Sequence, residues 1–106
     1  MTFIIALTDN KNVTCSRQVI LVADCSISNV QDKIFDVVVL PGGGKGAENL
    51  ASDSQVGEIL KKHDSEGKIL AAVCAAPTAF QSHDIGKGKN ITSYPAFKEK
   101  LAGDYR

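Results

Sequence analysis

In Lys68-Ile69-Leu70-Ala71-Ala72-Val73-Cys74-Ala75-Ala76-Pro77-Thr78-Ala79-Phe80 an apolar run stops at a cysteine and a helix-like segment begins. An unbroken series of small and branched apolar residues suits a strand covered on both faces, as in a parallel sheet. Pro77 has no N–H to lose and a φ suited to the first turn of a helix, so the chain turns there from strand to helix. Cys74 stands at the turn. Open α/β sheets carry their chemistry at such points, just beyond the carboxyl end of a strand. Helix N–H groups and the macrodipole favour a negative group there, which lowers a thiol's pKa. The competing reading of Cys74 is a buried small hydrophobe, since free cysteine is among the most buried residue types.

Upstream, Phe35-Asp36-Val37-Val38-Val39-Leu40 forms a second strand, ended by Pro41-Gly42-Gly43-Gly44-Lys45-Gly46. Pro41 cannot donate to a ladder, and the glycines permit positive φ and close backbone approach. A short helix follows over Ala47 to Leu50. Ser52 or Asp53 caps a longer one reaching about Asp64, with Val56, Ile59, Leu60 and His63 on one face at the i, i+3, i+4, i+7 spacing. His63 reads as helix-end packing, and Gly67 ends the helix.

Downstream of the turn, a helix covers Pro77 to Ser82, with His83 near its end in a structural place. Ile85 to Lys89 is a loop, Asn90 to Ser93 a short strand, and Pro95 to Leu101 the start of another helix. At the other end of the chain, residues 3–7 read as a strand closed by the turn-prone Thr8 to Asn12. Val13 to Ser16 and Gln18 to Val22 then form a hairpin around Arg17. Asp24 to Asp32, with Cys25, is loop or one irregular helical turn. The order suggests a mainly parallel α/β sheet with helices on both faces.

Length, charge and cysteine usage narrow the function classes. The 106 residues allow one small domain. Twelve basic and 12 acidic residues balance without long blocks of one sign, so neither nucleic acid nor an anionic membrane is expected as main partner. No apolar run approaches the ~18 residues of a membrane span, and the N-terminal stretch lacks a basic signal-peptide n-region. Cys15, Cys25 and Cys74 are odd in number and without CxxC spacing. Neither a disulfide framework nor a zinc site is expected, and a reducing compartment is. No cofactor and no metal are expected.

The two loops Pro41 to Gly46 and Cys74 to Pro77 follow neighbouring strands and should face one crevice. One brings backbone N–H groups unobstructed by side chains, the other a thiol. Together they resemble a nucleophile with an oxyanion hole, built from the N–H of Ala75 and one from Gly42 to Gly44. A thiol of pKa ~8.5 is only a few per cent thiolate at pH 7 and needs activation. His63, Asp64, Glu66 and His83 fall near helix ends or loops, none of them placed as its activator. The glycine loop has a rival reading, since Gly42, Gly44 and Ala47 fit the dinucleotide pattern GxGxxG/A. That match lacks the first-strand position and the acidic residue ending the next strand, and Gly46 stands where a phosphate-binding loop needs a hydroxyl.

These segments resemble the DJ-one/PfpI superfamily, most closely its animal branch of parkinsonism-associated protein deglycases. The resemblance runs over Thr14-Cys15-Ser16-Arg17, Phe35 to Gly43, Gly46-Ala47-Glu48-Asn49-Leu50, Ala71 to Ala79 and His83-Asp84-Ile85-Gly86. It implies a flavodoxin-like three-layer α/β/α sandwich, here as a partial domain over residues 1–106, and a homodimer. It also implies a reactive, readily oxidised cysteine at Cys74, with glyoxalase or deglycase activity on methylglyoxal adducts and a role in oxidative-stress protection. The partners implied are a small carbonyl compound or a glycated protein, in the cytoplasm and in some relatives in mitochondria or nucleus. Gly43 and Ala75 match positions whose backbone N–H groups line the family's site. Arg17 matches a position near the dimer interface and site mouth, and Cys15 and Cys25 match secondary oxidisable thiols. Ala76 replaces the elbow's usual glycine, which requires a negative φ. The family's first strand and helix, which carry a glutamate bonded to the cysteine, have no counterpart here, nor do its closing strands and last helices. The alternative expectation is accordingly a catalytically impaired, truncated isoform or fragment that serves as a redox-sensitive binding module.

Overall fold

The computed structural model describes residues 6–7 and 12–106. The chain divides into two compact units, Met1–Lys33 and Ile34–Arg106. In the first, β1 (Ala6–Leu7) pairs in parallel with β4 (Cys25–Ser26), and β2 (Val13–Thr14) pairs antiparallel with β3 (Ile20–Leu21). The expected hairpin is present: Gln18 N–H donates to Cys15 O at 2.9 Å and Cys15 N–H to Val19 O at 2.7 Å. Residues 3–5 of the expected first strand and 8–11 of the turn after it lie outside the described residues. Over Asp24 to Asp32, expected as loop or one irregular helical turn, a turn of helix is present and the strand before it is the departure. Cys25–Ser26 is a strand, followed by one turn of helix, α1 (Ile27–Val30), which buries Ile27 and Val30. This Cys-Ser dipeptide becomes a strand through its long-range partner, which propensity does not register.

The second unit is built on β5 (Val37–Leu40) and β6 (Ile69–Ala72), parallel and in register from Val37↔Ile69 to Leu40↔Ala72. This register brings the carboxyl ends of both strands to one level. Their connection contains α2 (Gly44–Ser52) and α3 (Ser54–Ser65). Asp53 separates the helices and caps the second, its Oδ1 accepting from Gln55 N–H at 2.8 Å and Val56 N–H at 3.2 Å. Such a cap contributes about 1 kcal/mol. The face of α3 expected to be apolar is buried at Val56, Ile59, Leu60 and His63.

His63 is fully buried and satisfied at both ring nitrogens: Nδ1–H donates to Ile59 O at 2.7 Å, and Nε2 accepts the Phe35 N–H at 2.9 Å. It anchors the entry to β5 rather than binding a ligand. Gly67 takes φ +71° past the end of α3. There Lys68 N–H reaches His63 O at 2.9 Å and Gly67 N–H reaches Asp64 O at 3.1 Å, the paired bonds of a Schellman ending that a Cβ would disfavour.

Beyond β6, α4 spans Pro77–Ser82 as expected, with Pro77 in its first turn. His83 closes it and packs against α2 and α3, its Nε2–H donating to Leu50 O at 2.8 Å. A Cβ on Gly57 would stand 2.5 Å from His83 Nδ1, so the helices approach as closely as they do because residue 57 has none. The expected strand Asn90 to Ser93 does not form. That segment instead meets the chain end through Ile91 N–H to Arg106 O and Arg106 N–H to Lys89 O, at 3.1 and 3.0 Å. A 3-10 turn (Pro95–Phe97) and α5 (Lys98–Leu101) occupy the expected last helix. Tyr105 is buried, and its hydroxyl donates to Ile85 O at 2.6 Å. Burial, then the charge of Asp104, raises its pKa.

Candidate active site

Two loops leave the level carboxyl ends of β5 and β6 and meet. A Cβ built on Gly42 would stand 2.7 Å from Cys74 Cβ, 3.3 Å from Val73 O and 3.5 Å from Cys74 Sγ. Cβ atoms do not pack that closely, so glycine at 42 is what lets the loop lie against the thiol. Gly43 follows with φ +94° and serves as N-cap of α2, its carbonyl accepting from Ala47 N–H at 2.8 Å. The helix thus begins at Gly44, inside the glycine run, three residues before the expected Ala47.

Cys74 lies in the left-handed region at φ +60°, and its residue is exposed. An L-residue there costs about 1–2 kcal/mol relative to the right-handed region. Neighbouring hydrogen bonds hold the turn: Ala76 N–H donates to Val73 O at 3.0 Å, and Thr78 Oγ1–H to Ala75 O at 2.7 Å. Ala75, Ala76, Thr78 and Ala79 are buried behind the thiol. Ala76 has φ −64°, so alanine fits where the resemblance expects glycine. Cys74 is therefore an exposed residue backed by buried ones and not a core hydrophobe.

Among the described residues, the N–H groups of Gly43 and Ala75 have no hydrogen-bond acceptor. The sequence names the same two groups as candidate oxyanion donors. The two histidines are committed elsewhere, His63 beneath β5 and His83 to Leu50 O. Cys15 and Cys25, both half-buried, and the exposed Arg17 belong to the first unit. No group of three or more histidine, cysteine or acidic side chains among the described residues could hold a metal ion. Among the same residues no helix is long and apolar enough to cross a membrane.

One residue of the elbow's surroundings carries no mark in the sequence reading. Tyr94 N–H donates to Cys74 O at 2.9 Å. The available signal was Pro95, which disfavours the helical region for the residue before it; Tyr94 has φ −57° and ψ 134°.

An α/β protein with a cysteine elbow opposite a glycine loop is the class these features define, and its relatives give the fold type as flavodoxin-like. The DJ-1/PfpI family model matches residues 1–106, and the chain belongs to that family. It is 48% identical to Protein DJ-1alpha of Drosophila melanogaster over 96 residues, covering 90% of this chain and 44% of that protein. With Protein dj-1beta of the same fly, identity is 42% over 99 residues, 93% of this chain and 53% of the relative. The crystal structure of Drosophila DJ-1beta superposes with a TM-score of 0.91 over 93% of this chain and 53% of its own. A Caenorhabditis elegans protein named Glutathione-independent glyoxalase DJR-1.2 is 33% identical over 89% of this chain and 50% of its own. The chain thus spans about half the length of these relatives.

Proposed function

We propose that residues 1–106 form a partial family domain in which Cys74 acts as a nucleophile toward small carbonyl compounds, of the glyoxalase or deglycase type. The observation that carries this reading is the close approach of Gly42 to Cys74, with the acceptor-free N–H groups of Gly43 and Ala75 at the same two loops. On an α-oxoaldehyde the sulfur attacks the aldehyde carbon, forming a C–S bond and moving the C=O π pair onto oxygen. The two N–H groups hold that oxyanion. A proton passes from the former aldehyde carbon, by way of solvent, to the neighbouring carbon, and the adduct becomes a hydroxyacyl thioester. Water cleaves it to a hydroxy acid and returns the thiol, so the oxidation of one carbon balances the reduction of the other. Glycated protein adducts of methylglyoxal are the second substrate class in this reading. Arg17 is assigned to the site mouth or a homodimer interface, Cys15 and Cys25 to secondary oxidation, and the protein to the cytoplasm, with mitochondrial or nuclear pools.

The placement of both histidines away from the thiol favours a second reading, a redox-sensitive binding module of low turnover. Loss of an acid–base partner removes ~10²- to 10⁴-fold in rate. Methylglyoxal consumption with appearance of lactate, compared between the chain and Cys74→Ala, decides between them. Turnover that vanishes in the variant supports the first. Equal background rates, with peroxide oxidising Cys74 ahead of Cys15 and Cys25, leave the second.

A further inference from the structure

We infer that Tyr94 is a positioning residue of this site, acting through its backbone N–H on the peptide that follows Cys74. The inference rests on the carbonyl-attack reading of Cys74 for its kinetic consequence, and on geometry alone for the contact.

Three successive carbonyls of the elbow are held by different means. Val73 O accepts from Ala76 N–H at 3.0 Å and Ala75 O from Thr78 Oγ1–H at 2.7 Å, both within the elbow and its helix. The middle carbonyl, Cys74 O, accepts from Tyr94 N–H at 2.9 Å, across the chain. A peptide unit is planar and trans, so the direction of the Cys74 carbonyl sets the opposite direction of the Ala75 N–H. Tyr94 therefore aims one of the two proposed oxyanion donors. With Cys74 at φ +60°, outside the region an L-residue prefers, the elbow needs such an external tie to keep that orientation.

Tyr94 is itself held. Its carbonyl accepts from Phe97 N–H and Ser93 Oγ–H, each at 3.0 Å, and its ring meets Phe97 edge-on at 6.5 Å. Pro95 keeps its backbone extended. Tyr94 is 55% exposed and its amide does the positioning, so the side chain and the N–H can be tested separately.

Tyr94→Pro removes the donor without forcing φ, since −57° lies within proline's own range, and Tyr94→Ala controls for the ring that goes with it. Tyr94→Pro should lower kcat by at least ~10-fold, towards the ~10²- to 10³-fold of a lost oxyanion donor, with KM within about 2-fold. Tyr94→Ala and Tyr94→Phe keep the N–H and should stay within about 3-fold of the wild type. Should Tyr94→Pro fail to fold, as read by circular dichroism, an amide-to-ester replacement of the Ser93–Tyr94 bond removes the same N–H without the ring constraint. Hydrogen exchange in the unmodified chain supplies the readout that needs no turnover. The Tyr94 amide should exchange at least ~10-fold more slowly than that of Ala75. Wild-type kcat in the proline or ester variant, equal damage from Tyr94→Ala, or an unprotected Tyr94 amide would each overturn the inference. An inert wild type with a protected Tyr94 amide would remove the carbonyl-attack reading and leave the positioning contact standing.

Discussion

The glycine loop and the cysteine elbow solve one geometric problem in opposite ways. Both leave the same end of adjacent parallel strands, both turn at once into a helix, and each passes through a positive φ, +94° at Gly43 and +60° at Cys74. The glycine loop meets that demand with a residue that has no Cβ to clash. The elbow meets it with an L-residue, and hydrogen bonds at Val73 O, Cys74 O and Ala75 O hold the resulting strain. One loop is permissive by composition, the other is forced by its surroundings. Backbone strain of this kind persists where the structure around it over-determines the conformation, which is commonly at a site of chemistry.

The comparison breaks most severely at Gly42. Gly42→Ala sets a Cβ 2.7 Å from that of Cys74, and one loop must withdraw. The expected result is a loss of about 1–3 kcal/mol in stability by overpacking. Methylglyoxal turnover should fall by ~10²-fold or more, the scale of an ångström's misplacement; unchanged kinetics would mean that the loops do not act together. Gly43→Ala probes conformation alone, because no atom lies within 4 Å of a Cβ there. Urea unfolding should show a loss of about 1–3 kcal/mol with an unchanged m-value.

The elbow predicts the reverse sign. Cys74→Gly should be more stable than Cys74→Ala by about 1 kcal/mol, the relief of left-handed strain offset in part by glycine's unfolded-state entropy. Both variants should be inactive, so stability and activity would separate at one position. If Cys74→Ala proved the more stable, the strain assigned to the elbow would be wrong.

The smallest effect lies away from both loops and serves as their control. Tyr105 has its pKa raised, chiefly by burial, so its neutral form is favoured in the fold. Its contribution is complete below the unfolded tyrosine pKa near 10 and is lost as pH rises through the higher folded value. Tyr105→Phe should abolish that alkaline loss, and at neutral pH should cost about 1 kcal/mol for the bond to Ile85 O. Turnover should not change.

Much of this layout was legible because its causes are local. Pro77 marked the start of α4, Ser52 or Asp53 the cap of α3, which Asp53 provides, and Gly67 its end, each through a property that acts within a few residues. The two loops were legible as a pair because parallel strands bring their carboxyl ends together. The strand at Cys25–Ser26 was not, since only pairing with Ala6–Leu7 makes it one. Asn90 to Ser93 has strand composition and finds no ladder. Within the site, the thiol and its facing glycines were readable from residue type, whereas the Tyr94 contact was not. A main-chain amide has no signature in its side chain, and only the following Pro95 hinted at its conformation. His83 was legible as a structural residue near a helix end, whereas its seat against the missing Cβ of Gly57 on another helix was not.

The gap between Gly42 and Cys74 also constrains how such a site can change by descent. The two positions share one small volume, so their substitutions are not independent. While residue 74 carries a Cβ, as cysteine does, nearly every replacement at 42 is obstructed. Once 74 becomes glycine, most of that obstruction is gone and residue 42 is free to drift. A lineage that abandons the cysteine can then fill the space with a methyl group, after which restoring the thiol alone no longer restores the elbow. Losing the chemistry takes one step, whereas regaining it takes two in the right order.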